Sequence, residues 1–391
     1  MIWSDFGHEF DHVYEKLRDN FGKNGVIIYG LGERGKHLFS DLFTFSGIRT
    51  KAFVDKKAET GSFYYEGIPV YPIERLHSIR SDEPILIAAN YYVAQPGLMI
   101  ATLIHEGYRE WEDFYVADRL WRVRDIYEKG HLSVELVEIP VTERFTLNCE
   151  KCGFFTPYYK EPKDRSLGDV IRDIDTAFSR FDNVETLRFL GGEPFLYPEL
   201  CNVLKYSLGE YGDRLSNITI ITNGTIPLTG EMISLMEGNE KIFLSITDYT
   251  GHVPYEKNIR KLETTLKEHN ISYALYDAGE WNDLGFPAEK RPESEEQQKI
   301  RFDSCEMNCR TVYDGKLWYC SYESSGYRAN LTPAYEYIDY IDLKNVMDKK
   351  IIYEYYCGFT KTGANTLCKF CKMGDGKVAG GEQMARDRTD L

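Results

Sequence analysis

The most constraining feature of this sequence is an alternation of short apolar runs with longer amphipathic segments through its centre. The runs and segments follow in the order VEIPVTE, SLGDVIRDIDTAFSRF, ETLRFLGG, PELCNVLKYSLGEYG, NITIITNG, TGEMISLMEG, KIFLSITD, EKNIRKLETTLKEHN and ISYALYD. Strand–helix repeats of this kind form parallel sheets with right-handed crossovers. We therefore predict an α/β protein with a partial (β/α)6 barrel of the TIM type over residues 134–300, and these runs supply five of its strands. Its functional side chains should lie at the carboxyl ends of the strands.

A shorter strand–turn–helix unit precedes the barrel. The apolar run GVIIYG leads into GLGERG and an amphipathic segment, and further strands are predicted at TKAFVD and PILIAAN, after the loop GIPVYPIERL. Gly30, Gly32 and Gly35 form a GxGxxG pattern that can seat a phosphate on a helix N-terminus. Asp55 ends the second strand, where a carboxylate can bind ribose. We predict a Rossmann-like half-domain over residues 1–117.

This half-domain is similar to the N-terminal domains of some sugar acyltransferases and other polysaccharide-biosynthesis proteins, through VDKK and GIPVYP after the glycine pattern. The resemblance implies a mononucleotide or nucleotide-sugar ligand. The alternative is a domain that kept the fold and lost the ligand, or that docks a partner. A charged segment, DRLWRVRDIYEKG, then predicts a linker helix within 118–133.

The charge and composition of the chain limit the binding partners and the cellular compartment that we expect. Lys and Arg number 47 against 62 Asp and Glu, and the formal net charge of −15 would repel a nucleic-acid backbone. No basic leader and no apolar run of membrane-spanning length is visible, so we expect a cytoplasmic protein without a membrane span. In that reducing compartment the nine cysteines are poor disulfide candidates. Their CxxC steps indicate metal or iron–sulfur ligation instead.

Motifs whose side chains can bind a ligand or a metal follow successive predicted barrel strands. VTERFTLNCEKCGFF contains a CxxC step, LRFLGGEPFLYPEL contains GGEP, and ITNGT and SITD end the next two strands. Taken singly, CxxC also describes a zinc knuckle or two buried thiols, and GGEP a tight turn. In this order, on successive strand ends, they favour one functional site. Its predicted residues are Cys149, Cys152, Gly191, Gly192, Glu193, Pro194, Thr222, Asn223 and Ser245.

These motifs resemble those of the radical S-adenosylmethionine (SAM) superfamily, whose loop usually reads CxxxCxxC in a TERCTLxCxxC setting. There three cysteines hold a [4Fe–4S] cluster, and SAM binds its open iron and yields a 5′-deoxyadenosyl radical. Cys149 and Cys152 match the second and third cysteines, and Phe145 stands in the place of the first. The resemblance therefore implies a SAM-site cluster that is absent or labile in this chain.

The same resemblance implies roles for the other motifs. The GGEP turn would receive the methionine ammonium of SAM, and Thr222, Asn223 and Ser245 would contact its ribose and carboxylate. An electron donor such as flavodoxin or ferredoxin would be a partner.

The C-terminal cysteines form a second pattern. RTVYDGKLWYC predicts a hairpin with a type I′ turn at Asp314-Gly315. The CX9GX4C spacing resembles SPASM and Twitch domains, which implies an auxiliary [4Fe–4S] domain over residues 301–391. A structural zinc site held by four cysteines has the same ligands. The implied ligands are Cys305, Cys320, Cys368 and Cys371.

Three further cysteines stand outside this set. Cys309 and Cys357 could replace one ligand or donate a hydrogen atom to a substrate radical, although a half-buried thiol is the simpler interpretation. Cys201 lies in a helical apolar pattern and is predicted to be core.

Resemblance to radical SAM proteins of surface-polysaccharide type implies an oxidoreductase acting on a small molecule or glycan. The reaction would be epimerisation or oxidation of a sugar nucleotide or polysaccharide precursor. One alternative is a radical SAM peptide maturase. The other is a catalytically inactive relative, marked by Phe145, that binds nucleotide or a protein partner.

Overall fold

The structure is a computed structural model of the chain. It describes residues 1–19, 21–42, 44, 47–89, 96–285, 290–305, 307, 309–373 and 375–384. The chain divides into two compact units. The N-terminal unit comprises Asp5–His131 with Asp303–Asn308, and the C-terminal unit comprises Met1–Ser4, Leu132–Phe302 and Cys309–Leu391. Within the described residues, no helix is long and apolar enough to cross a membrane.

The N-terminal unit is a six-stranded sheet with flanking helices, in the strand order β3-β4-β2-β1-β5-β6. All pairings are parallel except the β3–β4 hairpin. Its elements are α1 (Asp11–Asp19), β1 (Val26–Tyr29), α2 (Glu33–Asp41), β2 (Thr50–Val54), β3 (Phe63–Tyr65), β4 (Ile68–Tyr71), α3 (Leu76–Ile79), β5 (Ile85–Ile87), α4 (Pro96–His105), β6 (Phe114–Val116) and α5 (Ala117–Lys129).

The apolar runs form the centre of this sheet because strands covered on both faces must be apolar throughout. β1 and β5 are fully buried at Ile27, Ile28 and Leu86. The predicted strands at TKAFVD and PILIAAN are present as β2 and β5, although Asn90 lies outside the described residues.

The interpretation of GIPVYPIERL as a loop was wrong, because it contains β4. Glu66 and Gly67 both have positive φ and close a two-residue hairpin turn before it. Glu-Gly is a weaker turn signal than Asn-Gly or Asp-Gly, which is why the sequence concealed this hairpin. α5 covers most of the predicted linker segment and is part of the N-terminal unit.

The C-terminal unit contains an eight-stranded sheet in the order β11-β10-β9-β8-β7-β13-β14-β15. Its elements, including a separate β12–β16 pair, are β7 (Ser133–Thr142), α6 (Leu167–Phe178), β8 (Asn183–Gly191), α7 (Leu200–Tyr211), β9 (Leu215–Thr222), α8 (Gly230–Met236), β10 (Ile242–Asp248), α9 (Glu256–Glu268), β11 (Ser272–Asp277), β12 (Glu280–Asn282), α10 (Glu295–Asp303), β13 (Thr311–Tyr313), β14 (Lys316–Trp318), α11 (Ser321–Arg328), β15 (Tyr340–Asp342), α12 (Lys349–Tyr356) and β16 (Lys377–Ala379).

Strands β7 to β11 pair in parallel and in sequence order, which confirms an α/β fold with parallel sheets. The described residues hold five such strands, where the sequence predicted six. The remaining parallel neighbour is β13, which comes from the cysteine-rich region and pairs with β7 through Thr311 and Glu138. The carboxyl ends of the parallel strands share one edge of the sheet, which is where the motif loops begin.

The predicted hairpin at Asp314-Gly315 is confirmed. Both residues have positive φ, 53° and 72°, as a type I′ turn requires. Their backbone N–H groups donate to the buried carboxylate of Asp173 on α6 at 3.0 and 2.7 Å. Arg165 pairs with the same carboxylate at 2.6 Å. The β13–β14 hairpin is therefore fixed to α6 by one charged side chain.

Candidate functional site at the strand carboxyl ends

The segments at the carboxyl ends of β7, β8, β9 and β10 surround one pocket. Its volume is about 110 Å³, below the roughly 300–1,000 Å³ typical of small-molecule sites. A ligand the size of SAM therefore needs side chains around the pocket to move. The lining residues are Phe145, Leu147, Cys149, Cys152, Phe154, Thr156, Leu190, Gly191, Gly192, Ile221, Thr222, Asn223, Thr247, Tyr249 and Trp281.

The two glycines of GGEP are required by close backbone packing. A Cβ on Gly191 would lie 2.2 Å from the carbonyl oxygen of Thr142, and one on Gly192 would lie 2.1 Å from that of Arg144. Gly192 N–H donates to Thr142 at 3.0 Å, and Glu193 N–H donates to Arg144 at 2.8 Å. The turn after β8 is therefore docked on the beginning of the CxxC loop.

The Glu193 side chain joins the GGEP turn to the end of β9. It is completely buried, and its carboxylate accepts from Phe195 N–H at 3.0 Å and Thr222 Oγ1 at 2.8 Å. The other oxygen accepts from Asn223 N–H at 2.9 Å. Burial raises its pKa to about 7, although these three donors act in the opposite direction. The carboxylate is occupied by protein donors, so its predicted contact with SAM stays a prediction.

Asn223 extends this network to the CxxC loop. Its Nδ2 donates to Thr146 Oγ1 at 3.0 Å, and its Oδ1 accepts from Thr225 N–H and Thr225 Oγ1. Thr146 and Thr225 also share a hydrogen bond of 2.7 Å. The loops after β7, β8 and β9 are therefore connected by side chains as well as by backbone.

The two thiols of the CxxC loop share the pocket with Phe145. Cys149 is buried and Cys152 is half-buried. Burial raises the pKa of Cys149 to about 11. Among the described residues, no group of three or more His, Cys, Asp or Glu side chains is arranged to hold a metal ion. Two thiols and a phenyl ring do not fit a cluster that needs three thiolates, since a phenyl group has no lone pair to donate.

A segment near the C-terminus covers the CxxC loop. Gln383 forms an isolated antiparallel bridge with Cys149, and its Nε2 donates to Cys149 Sγ at 3.2 Å. Its Oε1 accepts from Asn148 N–H at 2.7 Å. Glu150 N–H donates to Glu382 and Met384 N–H donates to Asn148, at 2.7 and 2.8 Å. The segment that covers the CxxC loop is therefore held by antiparallel backbone pairing and by one side-chain hydrogen bond to the Cys149 sulfur.

Glycines let this covering segment approach the pocket aromatics. A Cβ on Gly380 would lie 2.6 Å from Trp281 Nε1, and one on Gly381 would lie 2.7 Å from Tyr249 Cδ1. Gly381 also has a φ of 89°, which favours glycine. The rings of Tyr249 and Trp281 meet edge to face at 5.8 Å. Backbone and aromatic side chains together close this side of the pocket.

The predicted auxiliary ligands are divided between the two units. Cys305 belongs to the N-terminal unit, whereas Cys320, Cys368 and Cys371 belong to the C-terminal unit. All nine cysteines are described, and none of them forms a disulfide. The four-ligand site stays a prediction.

Arginines bind the backbone of the distant CxxC step. Arg291 donates to the carbonyl of Cys371 at 3.1 Å, and Arg301 donates to that of Cys368. Both guanidinium groups also pair with Glu293. The backbone of this CxxC step is therefore fixed by charged side chains, and the role of its two thiols as ligands stays a prediction.

A buried cation lies next to Cys309 and donates to the carbonyl of Tyr356, the residue before Cys357, at 2.7 Å. Arg310 is 1% exposed, donates to the carbonyl of Cys309 at 3.3 Å, and places its guanidinium 3.7 Å from the ring centroid of Tyr319. Cys357 is buried and caps α12. Cys201 is buried on α7, as its apolar pattern predicted. Hydrogen-atom donation by Cys309 or Cys357 stays a prediction.

The glycines in the loop of the N-terminal unit differ in whether packing requires them. A Cβ on Gly35 would lie 1.9 Å from the carbonyl oxygen of Gly30, so Gly35 is needed for helix–strand packing. A Cβ on Gly32 would meet nothing within 4 Å. The Asp55 carboxylate accepts from the N–H groups of Leu31 and Lys57. Its oxygens therefore brace the loop, and its contact with ribose stays a prediction.

Six of the nine residues predicted for this site line the pocket, whereas Glu193 and Pro194 are outside its lining among the described residues. Ser245 is absent from the pocket lining among the described residues, whereas Thr247 is present. Both lie on one face of β10, so strand alternation could have identified Thr247 as the residue nearer the strand end. Trp281 and Gln383 come from distant segments, and no motif marks them.

Comparisons with known proteins give structural matches only. No family model matches the sequence, and no curated protein matches it. Among solved structures, BtrN in complex with AdoMet and 2-DOIA is 16% identical, with a TM-score of 0.41 over 64% of this chain and 97% of that chain. Native anSMEcpe with bound AdoMet and Cp18Cys peptide is 12% identical, with a TM-score of 0.39 over 64% and 93%.

Streptococcus suis SuiB bound to precursor peptide SuiA is 14% identical, with a TM-score of 0.34 over 64% of this chain and 74% of that chain.

Ionisation of Glu193 should destabilise the folded protein as the pH rises. The carboxyl has an ordinary pKa of 4.5 and a folded pKa of about 7. The protonated carboxyl makes its full contribution to the free energy of unfolding below pH 4.5, and this contribution is lost between pH 4.5 and pH 7. Glu193→Gln mimics the neutral acid. Its free energy of unfolding relative to wild type should therefore rise by up to about 3 kcal/mol between pH 4.5 and pH 8.

Urea denaturation at both pH values measures this difference. The exposed Glu240→Gln is the matched control and should show no such change. A Glu193→Gln difference that stays constant with pH would show that the buried carboxyl does not titrate in this range.

Removing the Gln383 amide should expose the Cys149 thiol. In Gln383→Ala the rate of iodoacetamide modification at Cys149 should rise at least about fivefold, because the hydrogen bonds of this amide with Cys149 Sγ and Asn148 N–H, each worth about 1 kcal/mol, no longer hold the covering segment. Peptide mass spectrometry of the metal-free, reduced protein gives the rate at each cysteine. Gln297→Ala, on exposed α10, is the control. Equal rates in wild type and Gln383→Ala would mean that this contact does not protect the thiol.

Proposed function

We propose that this chain is a member of the radical SAM superfamily and that its pocket at the strand carboxyl ends is a SAM site. The observation that carries the proposal is the arrangement of four motifs around one pocket. CxxC, GGEP, ITNGT and SITDY follow four successive parallel strands and contribute lining residues together. A zinc knuckle or an isolated tight turn would explain one motif but not their common position.

The donor set limits what this site does in the chain as it stands. Cys149 and Cys152 supply two thiols, and Phe145 supplies carbon where a third thiolate is needed. The small pocket volume and the covering Gln383 also require rearrangement before SAM enters. We therefore propose that the pocket of the chain as it stands binds SAM, and that its residues do not by themselves support radical formation.

The proposed substrate class is a sugar nucleotide or polysaccharide precursor, altered by epimerisation or oxidation with an external electron donor such as flavodoxin or ferredoxin. The parallel sheet and glycine loop of the N-terminal unit support it, since Gly32 leaves open space at the start of α2. Backbone N–H groups at a helix N-terminus suit a phosphate group.

A second candidate is a catalytically inactive relative that binds a nucleotide or partner. The observation that favours it is Phe145 itself, which lines the same pocket as both thiols. An inactive relative would form no 5′-deoxyadenosine even when a cysteine replaces Phe145. The experiment on Phe145 therefore separates the two candidates.

Phe145→Cys should complete the cluster site. The third sulfur adds the missing ligand, so anaerobically reconstituted protein should gain about four irons per chain. Under a strong reductant, 5′-deoxyadenosine should rise at least about tenfold, since even groups that only support a ligand change activity by that factor. Iron assay and chromatography of the nucleoside measure both quantities.

Phe154→Cys is the matched control, because it places a thiol on another aromatic position of the same loop and pocket. It should gain neither iron nor activity. If wild type already holds a full cluster and cleaves SAM as fast as Phe145→Cys, another group supplies the ligand. If Phe145→Cys gains iron but forms no 5′-deoxyadenosine, the inactive relative is the better assignment.

A further inference from the structure

A second, larger cavity lies elsewhere in the C-terminal unit. Its volume is about 380 Å³, within the range of small-molecule sites. It is bounded by Ile2, by α10, and by the turn and short 3-10 helix over residues 361–369. It shares no lining residue with the pocket that contains Cys149.

The rim of this cavity is positively charged on an acidic chain. Lys299, Lys361 and Lys369 line it, against the single carboxylate of Glu295. The formal net charge of the whole chain is −15. Lys299 and Lys369 form no ion pair with any described residue. A local cluster of cations in a concave surface concentrates anions.

Packing restrains two of these lysines. A Cβ on Gly363 would lie 3.1 Å from Lys299 Cγ and 3.0 Å from Ile2, and its φ of 71° allows the turn that brings them together. Lys361 Nζ lies 4.4 Å from the ring centroid of Tyr337, and the backbone N–H of Lys361 donates to the Tyr337 carbonyl at 2.9 Å. Restrained side chains lose less entropy when they bind a ligand.

The interior of the cavity combines apolar and polar surface. Ile2, Ile338, Ala364 and Tyr335 provide apolar and aromatic atoms. Asn365 is 2% exposed in the cavity wall, and its Nδ2 donates to the carbonyl of Ile338 at 2.7 Å. Its Oδ1 has no partner among the residues that the structure describes. A buried acceptor left unsatisfied is unfavourable, and a ligand or water donor would relieve it.

The short 3-10 helix that carries Lys369 is held in place by buried carboxylates. Asp339 accepts from Thr366 N–H and Thr366 Oγ1, both at 2.7 Å. Glu323 accepts from Leu367 N–H and, at 3.1 Å, from Thr332 Oγ1. The wall of the cavity is therefore a fixed element, as a binding site requires.

We propose that this cavity binds a nucleoside diphosphate, with the diphosphate on the three lysines and the base on the apolar surface. Charge-assisted contacts from lysine suit phosphate oxygens. The apolar surface beside them favours a nucleotide over a bare anion. The proposal concerns a second site and does not depend on the SAM assignment.

Calorimetry of the full chain carrying Gly32→Val tests it. That substitution blocks the glycine loop of the N-terminal unit without a clash, because a Cβ there meets nothing within 4 Å. UDP should bind to one site, and Lys361→Gln with Lys369→Gln should weaken it at least about tenfold, since each charged hydrogen bond is substantial. Lys257→Gln with Lys261→Gln, exposed on α9, is the charge-matched control and should leave the affinity unchanged.

Inorganic pyrophosphate and uridine separate the two parts of the ligand. UDP should bind more tightly than either, and added salt should weaken UDP and pyrophosphate but not uridine. Three results would overturn the proposal: no UDP binding, UDP binding that survives the lysine substitutions, or pyrophosphate binding equal to that of UDP. The Phe145→Cys experiment is read from iron and 5′-deoxyadenosine, so its failure is distinguishable from this one.

Discussion

The completely buried carboxylate of Glu193 is the interaction on which the candidate site depends. It accepts hydrogen bonds from the GGEP turn and from the end of β9, while backbone contacts fix the same turn on the CxxC loop. Because these segments follow three different strands, the sheet alone would bring them near each other without fixing their distances. The three hydrogen bonds accepted by the buried Glu193 carboxylate fix those distances. Burial disfavours its charged form and raises its pKa.

The consequence for chemistry is a well-ordered pocket with an incomplete donor set. Cys149, Cys152, Asn223 and the two GGEP glycines line one pocket, and Phe145 lines it beside the two thiols. The covering Gln383 is the other distinctive feature, because it occupies the sulfur that a metal would need.

The fold and much of the site could be predicted because parallel strands end at one edge of their sheet. That rule placed Cys149, Gly191 and Asn223 together from the order of the motifs alone. It could not show that the Glu193 carboxylate turns inward, since the direction of that side chain depends on the tertiary path of the turn. It also could not find Gln383, whose pairing with Cys149 joins residues 234 positions apart and leaves no local pattern.

Hydrogen exchange on Glu193→Ala tests most directly whether Glu193 holds the loops together as one site. If Glu193 holds the loops together, the segments 143–156, 191–197 and 222–226 lose protection together in this variant. The hairpin held by Asp173 stays protected. Fragment-resolved mass spectrometry of the exchanged protein reports each segment separately. Loss of protection confined to 191–197 would contradict the account, because the other loops would then be held independently of this carboxylate.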